Sequence, residues 1–387
     1  MSTRVELITW NDLIEHVTDW MGAQPSGEAR RDAKRATLHG LRDIANCYNW
    51  AYYYSRGRIN MNEPYSTGTV EYDHTGGAHE RMLTLTDGTW PTWAALGYIN
   101  INDIVYEIAT RQSSSIVTLS VNSNPGEDVA SGTEYTLFRD EYPLPCNFQS
   151  MGEVIIASFS RVLAVEHPND WLARQRIWRG TACPYSYSIK GNPDYQNTLS
   201  MAVYPPPDDT YVLDYLYKRR PRPLKYDSYS TGTVSVSSGA TAVVGSGTAF
   251  EPGMVGSILR LGSTTQVPTS RWGSYPFSQE RVITAVGSAT ACTVDAVWSA
   301  SASSVKQMVS DPIDIDVGSM LTFLLRKAEL NTGHARSRRD RQLLEQMCMQ
   351  EEIRAREADS RNFKEESVGR TGVWPTRLAD FPFLGNG

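Results

Sequence analysis

Residues 65–70, Tyr65-Ser66-Thr67-Gly68-Thr69-Val70, recur letter for letter as Tyr229-Ser230-Thr231-Gly232-Thr233-Val234. Six identities in Ser/Thr/Gly-rich sequence can coincide, but the stretches downstream of the two copies also match in type. Trp93 to Ile108 aligns with Phe250 to Leu261: an aromatic opening, a Gly, then an apolar strand. Ser113 to Val121 aligns with Gly287 to Val297, a turn leading into alternating Thr and apolar residues. The copies close at Phe138-Arg139-Asp140 and at Val305 to Val309. In the first copy, Met82 to Leu85, Ile104 to Ile108, Ile116 to Leu119 and Tyr135 to Phe138 read as strands. Asp87-Gly88, Asn124-Pro125-Gly126 and Ser131-Gly132 supply turns between them. The reading is of two related small all-β modules, 65–141 and 229–311, inserted into a host chain. A unit that enters and leaves its host at adjacent points is what tolerated insertion requires.

Outside the modules the period changes to that of helices. Thr9, with Asp12 three residues on, caps a helix carrying Leu13, Val17, Trp20 and Met21, and Gly22 to Gly27 breaks it. A longer helix from about Glu28 puts Leu41, Ile44, Ala45 and Tyr48 on one face. Trp50, Tyr52, Tyr53 and Tyr54 close it and plug the first core, so the two helices read as an antiparallel pair. Helix is expected again at Met151 to Val165, where Val154, Ile155, Phe159 and Val162 line up, and from Pro168 through Trp171, Arg174 and Trp178. Strands at Leu199 to Tyr204 and Tyr211 to Tyr217 flank the turn Pro205-Pro206-Pro207-Asp208-Asp209. Asp316 or Ser319 caps a helix from Met320 to Leu330, Gly333 breaks it, and a charged helix spans about 334–366. The end, Trp374-Pro375 through Phe381-Pro382-Phe383-Leu384, is barred from helix by its prolines.

The predicted fold class is therefore α+β, a helical core with two inserted β-modules. The core comprises an N-terminal helix pair (1–64), a central α/β part (142–228) and C-terminal helices (312–366), with an extended tail (367–387) after them.

With 387 residues the chain is long enough for two or three folded units. At 40% hydrophobic and 21% charged residues, its balance is that of an ordered soluble protein. No run approaches the roughly 18 apolar residues of a membrane span, and Met1 to Trp20 lacks a signal-peptide core. Five scattered cysteines without a CxxC pair are expected as reduced core thiols. A net charge of -6 gives no general affinity for nucleic acid, so any DNA contact is local or brief.

Motifs that carry chemistry are missing from the sequence. His16, His39, His74, His79, His167 and His334 form no HExxH, and there is no GxSxG elbow or GxxxxGK loop. Asp311, Asp314 and Asp316 lack the Gly and Glu of an EF-hand and read as helix capping. Asp208-Asp209 reads as a turn, although paired carboxylates among aromatics are also what a glycosidase uses. The expectation is a protein that is not an enzyme, with no catalytic residues, no cofactor and no metal.

Two basic stretches bear on partners. Lys218-Arg219-Arg220-Pro221-Arg222 reads as an exposed linker or as a face toward an acidic partner or DNA. Arg336, Arg338, Arg339 and Arg341 sit near the start of the long helix, where cations oppose the helix dipole, so an anionic neighbour would account for them. That helix is also poor in apolar residues: Leu343, Leu344, Met347 and Ile353 stand among charges of both signs. Helices draw most of their stability from packing an apolar face, so a partner is expected to cover it. The bland alternative is a solvated helix held by pairs such as Glu352–Arg356.

The chain resembles the adaptor, or head-completion, proteins of tailed bacteriophages, the head-to-tail connectors beneath the portal. The residues that carry the resemblance are the helix pair ending in Asn49-Trp50, then Arg139-Asp140-Glu141-Tyr142-Pro143-Leu144-Pro145 and Tyr185 to Gly191. Tyr204-Pro205-Pro206-Pro207-Asp208-Asp209 and Tyr215-Leu216-Tyr217-Lys218-Arg219-Arg220-Pro221 complete the set. Gly232-Thr233-Val234 through Gly245-Ser246-Gly247-Thr248 resembles the wording typical of phage virion proteins. The long β-modules depart from the smaller members of the family.

The resemblance implies a structural virion protein of the neck, assembled in the host cytoplasm as a homo-oligomeric ring of twelve. Such a ring binds the portal, forms part of the DNA conduit, touches passing double-stranded DNA transiently and contacts no membrane. It implies that helix 334–366, with Arg336, Arg338, Arg339 and Arg341, and the tail, with Trp374, Phe381, Phe383 and Leu384, dock on the portal. The aromatic residues would be its anchors. The β-modules would face tail or nozzle proteins, or fibres. The alternatives are a tail nozzle or fibre-attachment protein, and a glycan-binding or glycan-degrading virion protein. About half the chain reads as helix, which favours the adaptor over a fibre.

Overall fold

Helix α1 (Trp10–Trp20) begins where the sequence places it, because Thr9 and Asp12 satisfy each other's backbone. The Thr9 hydroxyl accepts from Asp12 N at 3.3 Å, and the Asp12 carboxylate accepts from Thr9 N at 2.9 Å. Helix α2 (Gly27–Cys47) comes next, and Trp50 just beyond it is wholly buried. The Trp50 indole donates to Ile44 O at 2.7 Å, taking one of the carbonyls that a helix C-terminus leaves open. The computed structural model describes residues 7–22, 27–74, 80–177, 180–192, 198–269, 277–333 and 338–368. The fold is mixed α+β and divides into two units, Tyr54–Arg220 and the remainder, Met1–Tyr53 with Pro221–Gly387.

In the Tyr54–Arg220 unit, β1 (Tyr54–Asn60) precedes a module of seven strands. These are β2 (Thr69–Asp73), β3 (Met82–Thr86), β4 (Tyr98–Ile101), β5 (Ile104–Arg111), β6 (Ile116–Leu119), β7 (Val129–Thr133) and β8 (Tyr135–Phe138). Their order is β7-β2-β3-β6-β5-β4-β8, antiparallel throughout. Glu134 alone separates β7 from β8, so the two ends of the sheet are consecutive in the chain and the sheet comes round on itself. Trp90, Leu83, Val117 and Leu137 are among the side chains filling its interior.

The unit is completed by β9 (Glu141–Pro143), β10 (Phe148–Ile156), β11 (Arg161–Val162), β12 (Ala164–Val165), α3 (Pro168–Ile177), β13 (Ser186–Gly191), β14 (Leu199–Tyr204) and β15 (Val212–Arg219). They form two four-stranded sheets, β1-β15-β10-β11 and β12-β13-β14-β9. The helix expected over Met151 to Val165 is therefore corrected to strand. β10 pairs with β15, Met151 opposite Tyr217 and Ile156 opposite Leu213. Val154 and Ile156 point inward with the period of a strand, and their β-branched neighbours fit the pleat better than a helix. The triple-proline turn leads from one sheet to the other. Its prolines lack the amides a ladder needs, and β14 and β15 lie in different sheets.

In the other unit, β16 (Thr233–Val236), β17 (Ala242–Ser246), β18 (Ile258–Leu261), β19 (Gln279–Ser288), β20 (Ala291–Val294) and β21 (Ala302–Ser310) close a barrel. Its order, β16-β17-β20-β19-β18-β21, repeats that of the first module, with β21 in the place of both β7 and β8. Register agrees as well. Val70 opposite Thr133 corresponds to Val234 opposite Val305, and Ile101 opposite Tyr135 to Leu261 opposite Gln307.

The shared hexapeptide performs the same task twice. Tyr65 bridges to Leu137 and Tyr229 to Val309, and each tyrosine hydroxyl accepts a backbone amide, from Thr89 at 3.0 Å and Ala249 at 2.5 Å. Each ring packs 6.5 Å and 53° from one aromatic, Trp90 or Phe250. The counterpart of Phe250 is thus Trp90, not Trp93 as the sequence alignment has it.

Helix α4 (Val317–Asn331) is capped by Asp316, which accepts from Gly318 N at 3.2 Å, and α5 (Arg338–Val368) lies beyond it in the chain. Leu13 and Ile14 of α1, Ile44 of α2, Phe323 and Leu324 of α4 and Cys348 of α5 share one apolar cluster with Trp50. Strands outnumber helices 21 to five among the described residues, so the expectation of half helix was too high. Helical content does not by itself separate an adaptor from a fibre-type protein.

Candidate functional site

Helix α5 is where the expected docking residues begin. Arg336 of that set lies outside the described residues, as do Trp374, Phe381, Phe383 and Leu384. Arg338 opens the helix, and Arg339 and Arg341 are exposed on its first turn. Arg341 donates to Glu345 at 3.2 Å, four residues on, so part of its charge is answered within the helix. Further pairs, Arg354–Glu351, Arg356–Glu352 and Arg361–Glu357, run along the helix. Exposed pairs of this kind contribute about 0.3–0.5 kcal/mol each, so packing must supply the rest.

That packing is confined to one stripe. Leu344, Cys348, Ala355 and Asp359 are buried at helical spacing, and α5 lies along α4. The Asp359 carboxylate accepts from Ala51 N at 3.1 and 3.2 Å, and burial raises its pKa. Arg356 donates to Cys47 O at 3.2 Å at the C-terminal end of α2, the favourable end for a cation, and its guanidinium lies 5.2 Å from the Tyr48 ring. At 100° per residue, Leu343, Met349 and Ile353 fall on the side away from this stripe. They are 56%, 64% and 57% exposed and stand among the exposed Gln342, Gln346, Gln350 and Glu357, so that side is mixed, with three apolar side chains uncovered among the described residues.

The barrel and α1 are joined by a buried ion pair that sequence reasoning missed. Arg260 of β18 is fully buried. Its guanidinium grips Asp12 through two bonds of 2.6 and 2.7 Å and reaches Thr9 at 3.2 Å, Glu280 at 3.2 Å and Leu7 O at 3.4 Å. The signal was present: an arginine in the apolar run Ile258-Leu259-Arg260-Leu261 must find a carboxylate when the strand is buried. Asp311 forms a second junction. It is buried and accepts from Lys225 N at 2.6 Å, Tyr226 N at 2.7 Å, Ser257 Oγ at 2.6 Å and Arg222 at 3.3 Å.

No protein-family model and no curated protein matches this sequence.

The remaining sequence candidates are accounted for locally. Of Asp311, Asp314 and Asp316, only Asp316 caps a helix. Asp314 accepts from the Tyr52 hydroxyl at 2.9 Å and Arg222 N at 2.9 Å. Asp208 accepts from the Tyr211 hydroxyl at 2.7 Å, and Asp209 from Thr210 N at 2.6 Å, so both carboxylates hold their own turn. The basic stretch is not a free linker throughout, since Lys218 is buried in β15 and Arg222 is bound to Val255 O and Asp311. The described residues thus give two β-modules, one of them tied to α1 by a buried ion pair, and a long helix with three apolar side chains exposed.

Proposed function

We propose that this chain is a structural virion protein, an adaptor whose copies form a ring between a phage portal and the tail and line part of the DNA conduit. In this reading the protein is a helical core carrying two copies of one β-module, and it resides in the neck of the virion after assembly in the host cytoplasm. The observation that carries the reading is the outer side of α5. A helix of 31 residues packs one stripe and leaves Leu343, Met349 and Ile353 outward, where a neighbouring chain would cover them. Arg339 and Arg341 add an exposed basic turn at its start. Arg336 and Arg338, with Trp374, Phe381, Phe383 and Leu384 of the tail, belong to the same docking proposal. The β-modules face tail or nozzle proteins, or fibres, and double-stranded DNA makes transient contact.

A second reading, a tail nozzle or fibre-attachment protein, is favoured by the strand-rich content and by the doubled module, since repeated modules suit repeated partners. Light scattering and negative-stain microscopy of the full chain and of a truncation at residue 333, each with and without portal, separate the two. Rings, or rings formed only on portal, that are lost on truncation support the adaptor. A monomer indifferent to portal and to truncation overturns it.

A further inference from the structure

Between the first β-module, β9, β13 and α3, all in the Tyr54–Arg220 unit, lies a cavity of about 360 Å³. That is the lower end of the range for small-ligand sites. Its walls include Tyr98 and Phe138 from the module, Trp171 and Gln175 from α3, and Lys190 from β13. Asp140, between β8 and β9, is held at the base because its own carbonyl accepts from Val203 N at 2.8 Å. Its side chain is buried, with the residue 1% exposed. One carboxylate oxygen accepts from Gln175 Nε2, while the other, Oδ1, meets no side-chain donor among the described residues and has at most the residue's own backbone amide nearby. A buried acceptor left open costs about 1–3 kcal/mol, more when charged, unless water or a ligand in the cavity answers it.

The neighbouring charges say which ligand. Glu141 is already answered, by Lys190 Nζ and by the Tyr98 hydroxyl at 3.0 Å. Lys190 in turn lies 4.8 Å over the Trp171 ring. Glu107, exposed at the mouth, makes no ion pair among the described residues. Among the described residues, Asp140 and Glu107 make no ion pair, and Lys190, whose charge also reaches Asp140, is the one cation that lines the cavity and is already paired with Glu141. Burial, and after it the charge of Glu141, pushes the Asp140 carboxyl up to about 7, with Lys190 opposing. The walls are partly apolar, through Phe138, Val105 and Leu172. No group of three or more His, Cys, Asp or Glu that could hold a metal occurs among the described residues.

We propose that this cavity receives an organic cation, a guanidinium or primary ammonium on a short apolar stem. Its N–H groups donate to the open oxygen of Asp140, and its stem lies against Phe138 and Trp171. The head group comes either from a free amine or from a basic side chain of a partner protein. Because the cation binds the carboxylate form, binding displaces a proton from Asp140 below pH 7. Affinity therefore falls about tenfold per unit as pH drops below that value and levels off above it.

The test is calorimetric titration of the full chain with butylguanidinium and, separately, with the capped tripeptide Gly-Arg-Gly, between about pH 6 and pH 8. Binding that strengthens with pH, releases a proton below pH 7 and weakens about tenfold or more in Asp140→Asn supports the site. The small cation binding alone points to a free amine, and the tripeptide binding at least as well points to a partner's side chain. Should Asp140→Asn not fold, Leu172→Trp closes the mouth from an exposed position and is expected to abolish binding with the melting temperature unchanged. No binding by the wild-type chain to about 10 mM probe, or either variant binding like wild type, overturns the proposal.

Discussion

Replacing Arg260 by methionine keeps most of the stem's volume but removes the guanidinium that makes two short bonds to the buried Asp12 carboxylate. The carboxylate would stay buried, 1% exposed in its side chain, and would keep the Thr9 amide as a donor but lose its two guanidinium bonds. Breaking a buried pair from one side costs about 3–5 kcal/mol, because an uncompensated charge is left behind. That is a large share of the roughly 5–15 kcal/mol by which a domain is stable. With a urea slope of about 2 kcal/mol per molar, a loss of 4 kcal/mol lowers the midpoint by about 2 M. The helical circular-dichroism signal reports on the affected unit, since four of the five helices belong to it. Adding Asp12→Asn removes the charge that the guanidinium had answered but keeps a capping acceptor. The double variant Arg260→Met/Asp12→Asn should therefore recover part of the loss, with a coupling of about 2 kcal/mol or more. A single variant within about 0.5 kcal/mol of wild type, or a double variant showing no coupling, would refute the idea that this pair joins barrel to helix.

Three further outcomes rest on the same structure. Gly68→Ala and Gly232→Ala should each destabilise by about 1–3 kcal/mol in thermal melts. Both glycines have positive φ, +84° and +80°, and an added Cβ would lie 2.1 Å from Thr86 O and 2.6 Å from Ser246 O. Hydrogen bonds from Arg58, then Arg56, hold the Asp214 carboxyl at about 2, below its unfolded value of 3.8. The stability this contributes is present above pH 4 and lost as pH falls toward 2, so an acid titration of Asp214→Asn should lack that component. Leu343→Lys with Ile353→Lys should leave the melting temperature within about 1 kcal/mol equivalent of wild type, since both are exposed. In the proposed ring the same pair should reduce assembly measured by sedimentation.

Sequence sufficed where local chemistry decides the structure. The Thr9–Asp12 cap, the Asp316 cap and the strand-bearing stretch after Tyr65 were legible because a few neighbouring residues fix them. The repeat was legible for the same reason: Tyr65, Gly68 and their counterparts are held by backbone geometry that admits few substitutes. Met151 to Val165 misled because Val154, Ile155, Phe159 and Val162 fit a helical spacing by accident, and the partner strand that decides the matter is about 60 residues away. Arg260 with Asp12, and Asp140 with Gln175, were out of reach because each pair is assembled from elements distant in sequence. An unusual charge in an apolar run marks such a site but does not name its partner.

The segment that enters the barrel after β15 and the segment that leaves it for α4 run side by side, tied at Tyr229 with Val309, Tyr226 with Asp311 and Arg222 with Asp314. A single-stranded tether would let the barrel swivel freely. A doubled, cross-tied stalk resists torsion, so the barrel keeps one bearing relative to the helical layer. If copies stand around a common axis, every barrel then points the same way before any partner arrives. A partner with matching symmetry would bind many barrels while losing little orientational freedom at each, and modest single contacts would add up to a firm joint.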